Sequence, residues 1–417
     1  MSAVRRFAAG FAYPRRAALA ARCDDGGDPA KGNPSMTNSA APTRRNALIG
    51  VLMALAIALL GGTAVSPASS AAAAGTTATS RTNAAHRMFA YYYLWWSTRH
   101  WHDKLGSDYP YDASPLPLPA TLDSSGCNAT SRFAGNHLLD VPRALWTQDR
   151  AATMERDVRS AVRAGLAGFA VNWNGTGSRT QTPRSTSYNR RLAALVRVVD
   201  RVRREGKRFS LWVSYKGSAR VLPARHIVND LSYLARTYRG NPAFDRSNGH
   251  RPTVILTGSR KYGTSALATI SRSARRHFYL VGDENWDTWT RARARHLDGD
   301  QYYWSSQDPY RNPHSFDQLA ELAAKVRHSG RNPDGTRKRW FAPLAPGFNT
   351  ELAGGSTCVP RKGGRTLKAL YAGNSRTRPD GWVVISWNEI TENTYLVPMQ
   401  RYGRESTATL RSIVDSA

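Results

Sequence analysis

Glu389 and Glu392 stand three residues apart, just past the apolar run 382–386 and directly behind Trp387 and Asn388. The run is rich in β-branched residues and reads as a buried strand. A carboxylate buried without partners is costly, so both acids belong in the mouth beyond the strand end. A tight turn there would let them converge on one ligand. Two carboxylates beside an aromatic wall suit glycosidic bond cleavage: one protonates the leaving oxygen, the other acts as base or nucleophile. The same pair would also suit the start of a helix, where negative charge is favoured.

The elements that must position this pair appear as an alternation. Strands are predicted at 88–93, 168–173, 209–215, 253–257, 278–282, 301–304, 340–345 and 382–387. Helices are predicted at 149–164, 189–204, 224–237, 265–275, 288–296, 316–327, 365–371 and 405–414. Strict alternation implies parallel strands with crossover helices, and eight such units closing on themselves make a TIM (β/α)8 barrel. An open doubly wound sheet is the other arrangement, but no Gly-rich fingerprint follows the first strand. Two long loops, 95–146 and 346–364, follow strands one and seven. Both are expected at the C-terminal face, where barrel active sites are built.

That face would collect the residues at the strand ends. Strand one brings Tyr92, Tyr93, Trp95 and Trp96, and strand two brings Trp173 and Asn174. Tyr215 and Lys216 follow from strand three, Asp283 and Glu284 from strand five, Tyr303 and Trp304 from strand six, and Trp387 and Asn388 from strand eight. Sugars present apolar C–H faces and a rim of hydroxyls, which aromatic platforms and polar side chains match. Half of any strand's side chains point outward to the helices, so strand packing competes with this reading for residues such as Tyr92. Glu284 could instead cap a helix. His100-Trp101-His102-Asp103 could hold a metal if extended, but the usual metal signatures are absent and His100 is assigned to substrate. No Gly-x-Ser-x-Gly elbow supports acyl transfer.

Composition narrows the partners. The 417-residue chain carries a formal charge of +29, almost wholly through arginine. The arginines are dispersed and form no dense block, no nucleotide- or RNA-binding motif is present, and no nucleic-acid partner is expected. No cofactor is expected either. Residues 1–85 read as an extension, a signal peptide and a linker, with the folded domain at 86–417. Arg44-Arg45 precedes a 14-residue apolar run, 47–60, and a tract of small residues. This is the pattern of a secretory signal; the arginine pair leaves twin-arginine export open, and Met36 offers a second start. The run is too short to span a bilayer comfortably. Cys23 lies upstream of it, which leaves Cys127 and Cys358 in an exported chain and predicts a disulfide between them. The mature protein is expected to be secreted, without a membrane span, and monomeric.

Several segments together resemble the glycoside hydrolase family 99 group, the endo-α-mannosidases and their bacterial relatives, and also family 71-like barrels. They are 89–96 in strand one, 168–174 in strand two, Ala345-Pro-Gly-Phe-Asn349, 358–364, and 386–398, which is similar to the family's Trp-Asn-Glu-Trp-x-Glu-Gly run. The resemblance implies metal-independent, retaining hydrolysis inside α-linked chains. It implies that Glu389 draws the proton from the sugar's own 2-hydroxyl, giving a 1,2-anhydro intermediate, and that Glu392 is the general acid and then base. The acid should have a raised pKa, which an aromatic-walled site could supply. Ile390 stands where the family often has Trp, and Asn393 where it has Gly. Substrates of α-mannan and of α-glucan type both stay open, as does a secreted barrel that binds glycans or the cell wall without cleaving them.

Overall fold

The computed structural model describes residues 87–176, 184–216 and 221–416. The expected signal peptide and linker lie outside the described residues. Eight parallel strands close into one barrel: β1 (Met88–Tyr93), β2 (Gly168–Trp173), β3 (Ser210–Tyr215), β4 (Thr253–Leu256), β5 (Tyr279–Gly282), β6 (Gly299–Asp300), β7 (Arg339–Leu344) and β8 (Gly381–Val384). Closure falls on β1, where Phe89 pairs with Val383 of β8 on one side and with Gly168 of β2 on the other. The helices are α1 (Thr98–Leu105), α2 (Ala151–Arg163), α3 (Arg184–Arg204), α4 (Ala224–Tyr238), α5 (Thr264–Ala274), α6 (Arg291–Ala294), α7 (Ser315–His328), α8 (Arg365–Asn374) and α9 (Glu405–Asp415). The architecture is the TIM barrel that the alternation predicts.

Side-chain parity divides each strand between two cores. Phe89, Tyr91 and Tyr93 point into the barrel with Ala170, Trp212, Ile255, Val281, Phe341 and Val383. Ala90 and Tyr92 point out, with Phe169, Val171, Trp173, Leu211, Val213 and Tyr215, against the helical layer. The lower interior is filled by rings: Phe89 stacks on Trp212 at 3.9 Å, and Trp212 meets Phe341 edge-on at 4.9 Å. Gly168 makes room for them, since a Cβ there would lie 2.0 Å from the Ser210 carbonyl oxygen and 2.5 Å from the Phe89 ring. In the outer layer, Met154, Val158 and Ala161 of α2 follow helical spacing and are buried.

Four sequence expectations shift. Strand six is not 301–304 but the two residues Gly299–Asp300, so Tyr303 and Trp304 lie in the loop beyond it. The helix expected at 288–296 shrinks to α6, because Asn285 Oδ1 accepts the amides of Asp287 and Thr288 and holds that stretch in a turn. The 95–146 loop contains α1 and a hairpin of Ala120–Thr121 with Thr130–Ser131, and 346–364 contains a hairpin of Phe348–Asn349 with Cys358–Val359. His100 and His102 therefore sit on a helix, where positions two apart do not share a face. Among the described residues no helix is long and apolar enough to cross a membrane.

Cys127 and Cys358 are bonded, with Cα atoms 5.9 Å apart, and stand 231 positions apart in sequence. The bond ties the two long loops together across the barrel's closing seam. Reduction, or paired Cys127→Ser and Cys358→Ser changes, is expected to lower stability by about 2–4 kcal/mol, a fall in Tm of about 5–10 °C. A thermal melt with and without reductant checks this; an unchanged Tm would contradict it.

Asp157 of α2 is fully buried and accepts the Tyr92 hydroxyl at 2.9 Å. Burial pushes its carboxyl up to about 6, against the opposing pull of Arg156 and the Tyr92 hydroxyl. A folded pKa above the ordinary 3.8 means that its stabilising share is full below about pH 4 and is lost as pH rises through 6. Asp157→Asn keeps the acceptor without the charge. It should be more stable than the parent at pH 7 by up to about 3 kcal/mol, with the gap closing towards pH 4. Urea unfolding at both pH values measures it, and a pH-independent gap would contradict it.

Candidate functional site at the C-terminal mouth

The backbone beyond β8 keeps pairing after the regular strand ends. The Ile385 amide donates to Leu344 O at 2.7 Å and the Trp387 amide to Tyr91 O at 2.8 Å. Asn388 then replaces a peptide unit with its side chain: Oδ1 accepts the Tyr93 amide at 2.8 Å and Nδ2 donates to Tyr93 O at 2.9 Å. The Trp96 indole donates to Asn388 O at 2.7 Å. The next residues form a closed turn, with Ser386 N–H on Thr394 O, Thr394 N–H on Glu389 O and Asn393 N–H on Ile390 O, at 2.7, 3.2 and 3.1 Å. Asn393 takes a left-handed φ of 56°. Asn tolerates that region better than other non-glycine residues, so the turn forms without the family's glycine. Ile390 is fully buried in the outer core.

This turn presents both acids. Glu389 is 3% exposed; its amide donates to Ser386 Oγ at 2.6 Å and its Oε1 accepts the Thr391 amide at 3.1 Å. Glu392 is half-buried, and its carbonyl accepts the Asn349 amide at 2.8 Å. Both carboxylates act on one pair of phenols, Tyr93 and Tyr303, whose hydroxyls are 2.8 Å apart. Burial foremost, and then the Glu389 and Glu392 charges, hold the Tyr93 hydroxyl well above the ordinary phenol range; burial, then Glu392, does the same for Tyr303. Both phenols therefore stay protonated and can donate. Trp95 stacks on Tyr93 at 4.4 Å, His100 lies 5.9 Å from the Trp95 ring, and Lys216 Nζ stands 6.0 Å from the Trp95 centroid. Tyr93 and Tyr303 thus lie by the acids, with Trp95 packed on Tyr93 and His100 and Lys216 beside Trp95, and Asn174 is half-buried at the end of β2.

Other residues read as substrate contacts are built into the wall instead. Tyr92, Trp173 and Tyr215 have outward parity: the Trp173 indole bonds Asn189 at 2.7 Å, and the Tyr215 hydroxyl bonds Asp230 at 2.8 Å. Trp387 is fully buried against Phe169, ring to ring at 5.5 Å. Trp96 and Asn388 are fully buried and spend their polar atoms on the clamp just described. Trp304 packs with Trp286 and Tyr302, each at 5.5 Å. Glu284 is fully buried, held by both arms of Arg293 at 2.6 and 2.9 Å and by Ser259 Oγ at 2.6 Å. It is a structural ion pair, for which a bare carboxylate at a strand end gives no warning.

The site also draws on Asp283, named above only as a strand-end residue, and on residues that sequence reasoning passed over. Asp283 Oδ1 accepts the Tyr303 amide at 2.9 Å and Arg260 at 2.7 Å, which fixes the loop carrying that phenol. Tyr91 bonds the Gln301 side chain beneath it. Asp300 is fully buried beside Glu284, and burial first, then that neighbouring charge, pushes its carboxyl well above the usual range. It closes a two-residue strand that no apolar run could reveal. Arg361 donates to Asn393 O at 2.8 Å and braces the turn; its segment carried the family resemblance but no role. Among the described residues no group of three or more His, Cys, Asp or Glu could hold a metal ion.

No family model matches the sequence, and no curated protein matches it. Solved structures do resemble the fold. The GH99 endo-α-mannosidase from Bacteroides thetaiotaomicron superposes with a TM-score of 0.58 at 15% identity, over 79% of this chain and 97% of that one. A structure of that organism's GH99 endo-α-mannosidase in complex with bis-tris-propane gives 0.58 at 14%, with the same coverage. A glycoside hydrolase-like protein gives 0.50 at 10%, over 66% of this chain and 89% of that one. At these identities the likeness is one of fold: a family 99-like TIM barrel.

The left-handed turn residue gives a direct test. Asn393→Gly is expected to fold with near-parental Tm, while Asn393→Val, β-branched at a positive φ, should lose about 2 kcal/mol or more. Equal melting temperatures for the two variants would show that the turn does not constrain this position.

Proposed function

We propose that the protein is a glycosidase that cleaves internal bonds of an α-linked polysaccharide, of mannan or glucan type, with retention of configuration. The observation that carries the proposal is one hydrogen-bonded pair of protonated phenols, Tyr93 buried and Tyr303 half-buried, on which the charges of both Glu389 and Glu392 act at the barrel mouth. The fold likeness to endo-α-mannosidase structures supports it. In this reading Glu389 is the base that takes the proton from the sugar 2-hydroxyl, and an amide N–H on its Oε1 suits a carboxylate in that role. O2 closes on the anomeric carbon as the glycosidic bond breaks, and Glu392 gives its proton to the leaving oxygen. Water then opens the 1,2-anhydro ring with Glu392 as base, and Glu389 returns its proton to O2 as the C1–O2 bond breaks. Tyr93 and Tyr303 supply neutral O–H donors between the acids, and the Trp95 face offers an apolar platform. Export is inferred from the signal-like segment and the cross-link, since disulfides persist in oxidising compartments.

Glu389→Gln and Glu392→Gln are each expected to lower kcat on an α-mannan or α-glucan by about 10²–10⁴. Tyr303→Phe should cost about tenfold, as one neutral hydrogen bond is lost. Product analysis by reducing-end assay and NMR of the fresh anomer checks rate and stereochemistry. Full activity in either glutamine variant would overturn the role assignment, and an inverted product would overturn retention.

A further inference from the structure

Beside this mouth lies a second concave surface that the proposed chemistry does not use. It opens between the 122–127 and 360–365 segments, with Tyr310, Arg311 and Arg401 completing its walls. We propose that this cleft is a subsite for the anionic substituents of a polysaccharide: carboxylate, sulfate or phosphate groups on a glycan chain. The proposal rests on the carbohydrate reading above and narrows its substrate class.

The charge balance of the lining carries the inference. Arg311, Arg361, Lys362, Arg365 and Arg401 face it, against the two acids Asp123 and Asp308. Both acids are occupied by their own loops. Asp123 accepts Ser125 and Asn128, and Asp308 Oδ1 accepts the Tyr310 and Arg311 amides at 2.8 and 3.0 Å. The cations are held by groups that leave their charge uncancelled. Arg361 donates to Asn393 O, Arg365 to Lys362 O at 3.1 Å, and Arg401 to Leu139 O at 2.9 Å. Lys362 Nζ stands 3.7 Å above the Tyr310 ring. Among the described residues none of the five meets a carboxylate within ion-pairing distance, whereas Arg191, Arg260, Arg275 and Arg293 elsewhere each do. A concave surface on which five cations outnumber two acids carries a net positive field and favours a ligand of the other sign.

Two further features agree. Lys362 holds a left-handed φ of 51°, followed by two glycines at 62° and 78°. A lysine stands there although glycine would adopt the conformation without strain. Tyr310 is 44% exposed, an aromatic surface of the kind that sugar C–H faces cover. The cleft also adjoins the acids, because Arg361 bonds both it and the residue after Glu392. A chain seated at the Glu pair would pass its charged substituents over the cations.

The test is calorimetric titration of the full chain with polygalacturonate, dextran sulfate, a phosphorylated mannan and neutral dextran. At least one charged chain should bind more tightly than dextran, and the arm that does so identifies the anion. The triple variant Arg311→Gln, Lys362→Asn, Arg365→Gln should weaken that binding by about tenfold or more. A control triple, Arg225→Gln, Arg272→Gln, Arg276→Gln, removes equal charge from exposed residues on and beside α4 and α5, and should stay within about twofold of the parent. Equal weakening by both triples, or no charged chain outbinding dextran, overturns the proposal. Acetylation of Lys362 in the unmutated protein reads the site without any variant: bound probe should protect it, and undiminished labelling at saturation overturns the idea. Binding needs no turnover, so the two readings fail separately. Charge-dependent binding without hydrolysis of any α-glycan strikes the glycosidase, and hydrolysis of neutral chains without charge-dependent binding strikes only the cleft.

Discussion

A barrel strand that ends in charged residues must still satisfy its backbone, and here one side chain does so. Asn388 takes both peptide groups of Tyr93, so the first and last strands remain joined one step beyond their regular pairing. Buried peptide groups demand partners. Without the carboxamide, the Tyr93 amide would lose this partner, the Tyr93 carbonyl would keep only Gln148 Nε2 at 2.7 Å, and the backbone before Glu389 would lose its anchor. Trp96 locks the clamp from the far side through Asn388 O. The turn from Ser386 to Leu396 then closes on itself, so two glutamates three residues apart are fixed by backbone geometry before any side chain is considered. Tyr93 is held at its backbone by Asn388 and at its hydroxyl by Tyr303, which fixes the phenol that both acids face.

Much of this was legible in the sequence, because the barrel writes its period into the chain. Long apolar runs alternating with amphipathic stretches marked eight units, and the two cysteines within them, Cys127 and Cys358, formed one bridge. Parity was also readable: if Tyr91 and Tyr93 face inward, Tyr92 faces the helices, and Trp173 and Tyr215 follow in their own strands. For Tyr92, Trp173 and Tyr215 the packing alternative is the one the structure adopts. Other features were hidden for a physical reason. Gly299–Asp300 is too short to carry a period, and the Glu284–Arg293 pair joins a loop to a helix, a contact no local pattern encodes. The Asn388 clamp depends on geometry that only the closed barrel creates. Asn393 was a readable substitution, since asparagine is among the few residues that tolerate the backbone glycine leaves open.

The large positive charge resolves into distinct populations. Some arginines neutralise buried acids: Arg260 on Asp283, Arg275 on Asp298, Arg293 on Glu284. These are committed to the fold and contribute little to the outer field. Others lie on exposed helix surface, as a dispersed composition predicts. A few, around the 360–365 segment, hold carbonyls, a serine hydroxyl and aromatic rings. Net charge alone would have pointed to nucleic acid; its division by partner points elsewhere.

The bridge joins Cys127 and Cys358 across a sequence separation of 231, and the span it closes includes strands two to seven and most of their helices. A single proteolytic cut anywhere within that span would leave two fragments still covalently joined. Such a clipped molecule would run as one species on a non-reducing gel and as two after reduction. It would also keep both long loops at the rim, so a cut in any exposed connection need not release the segment that carries the acids from the segment that opens the barrel.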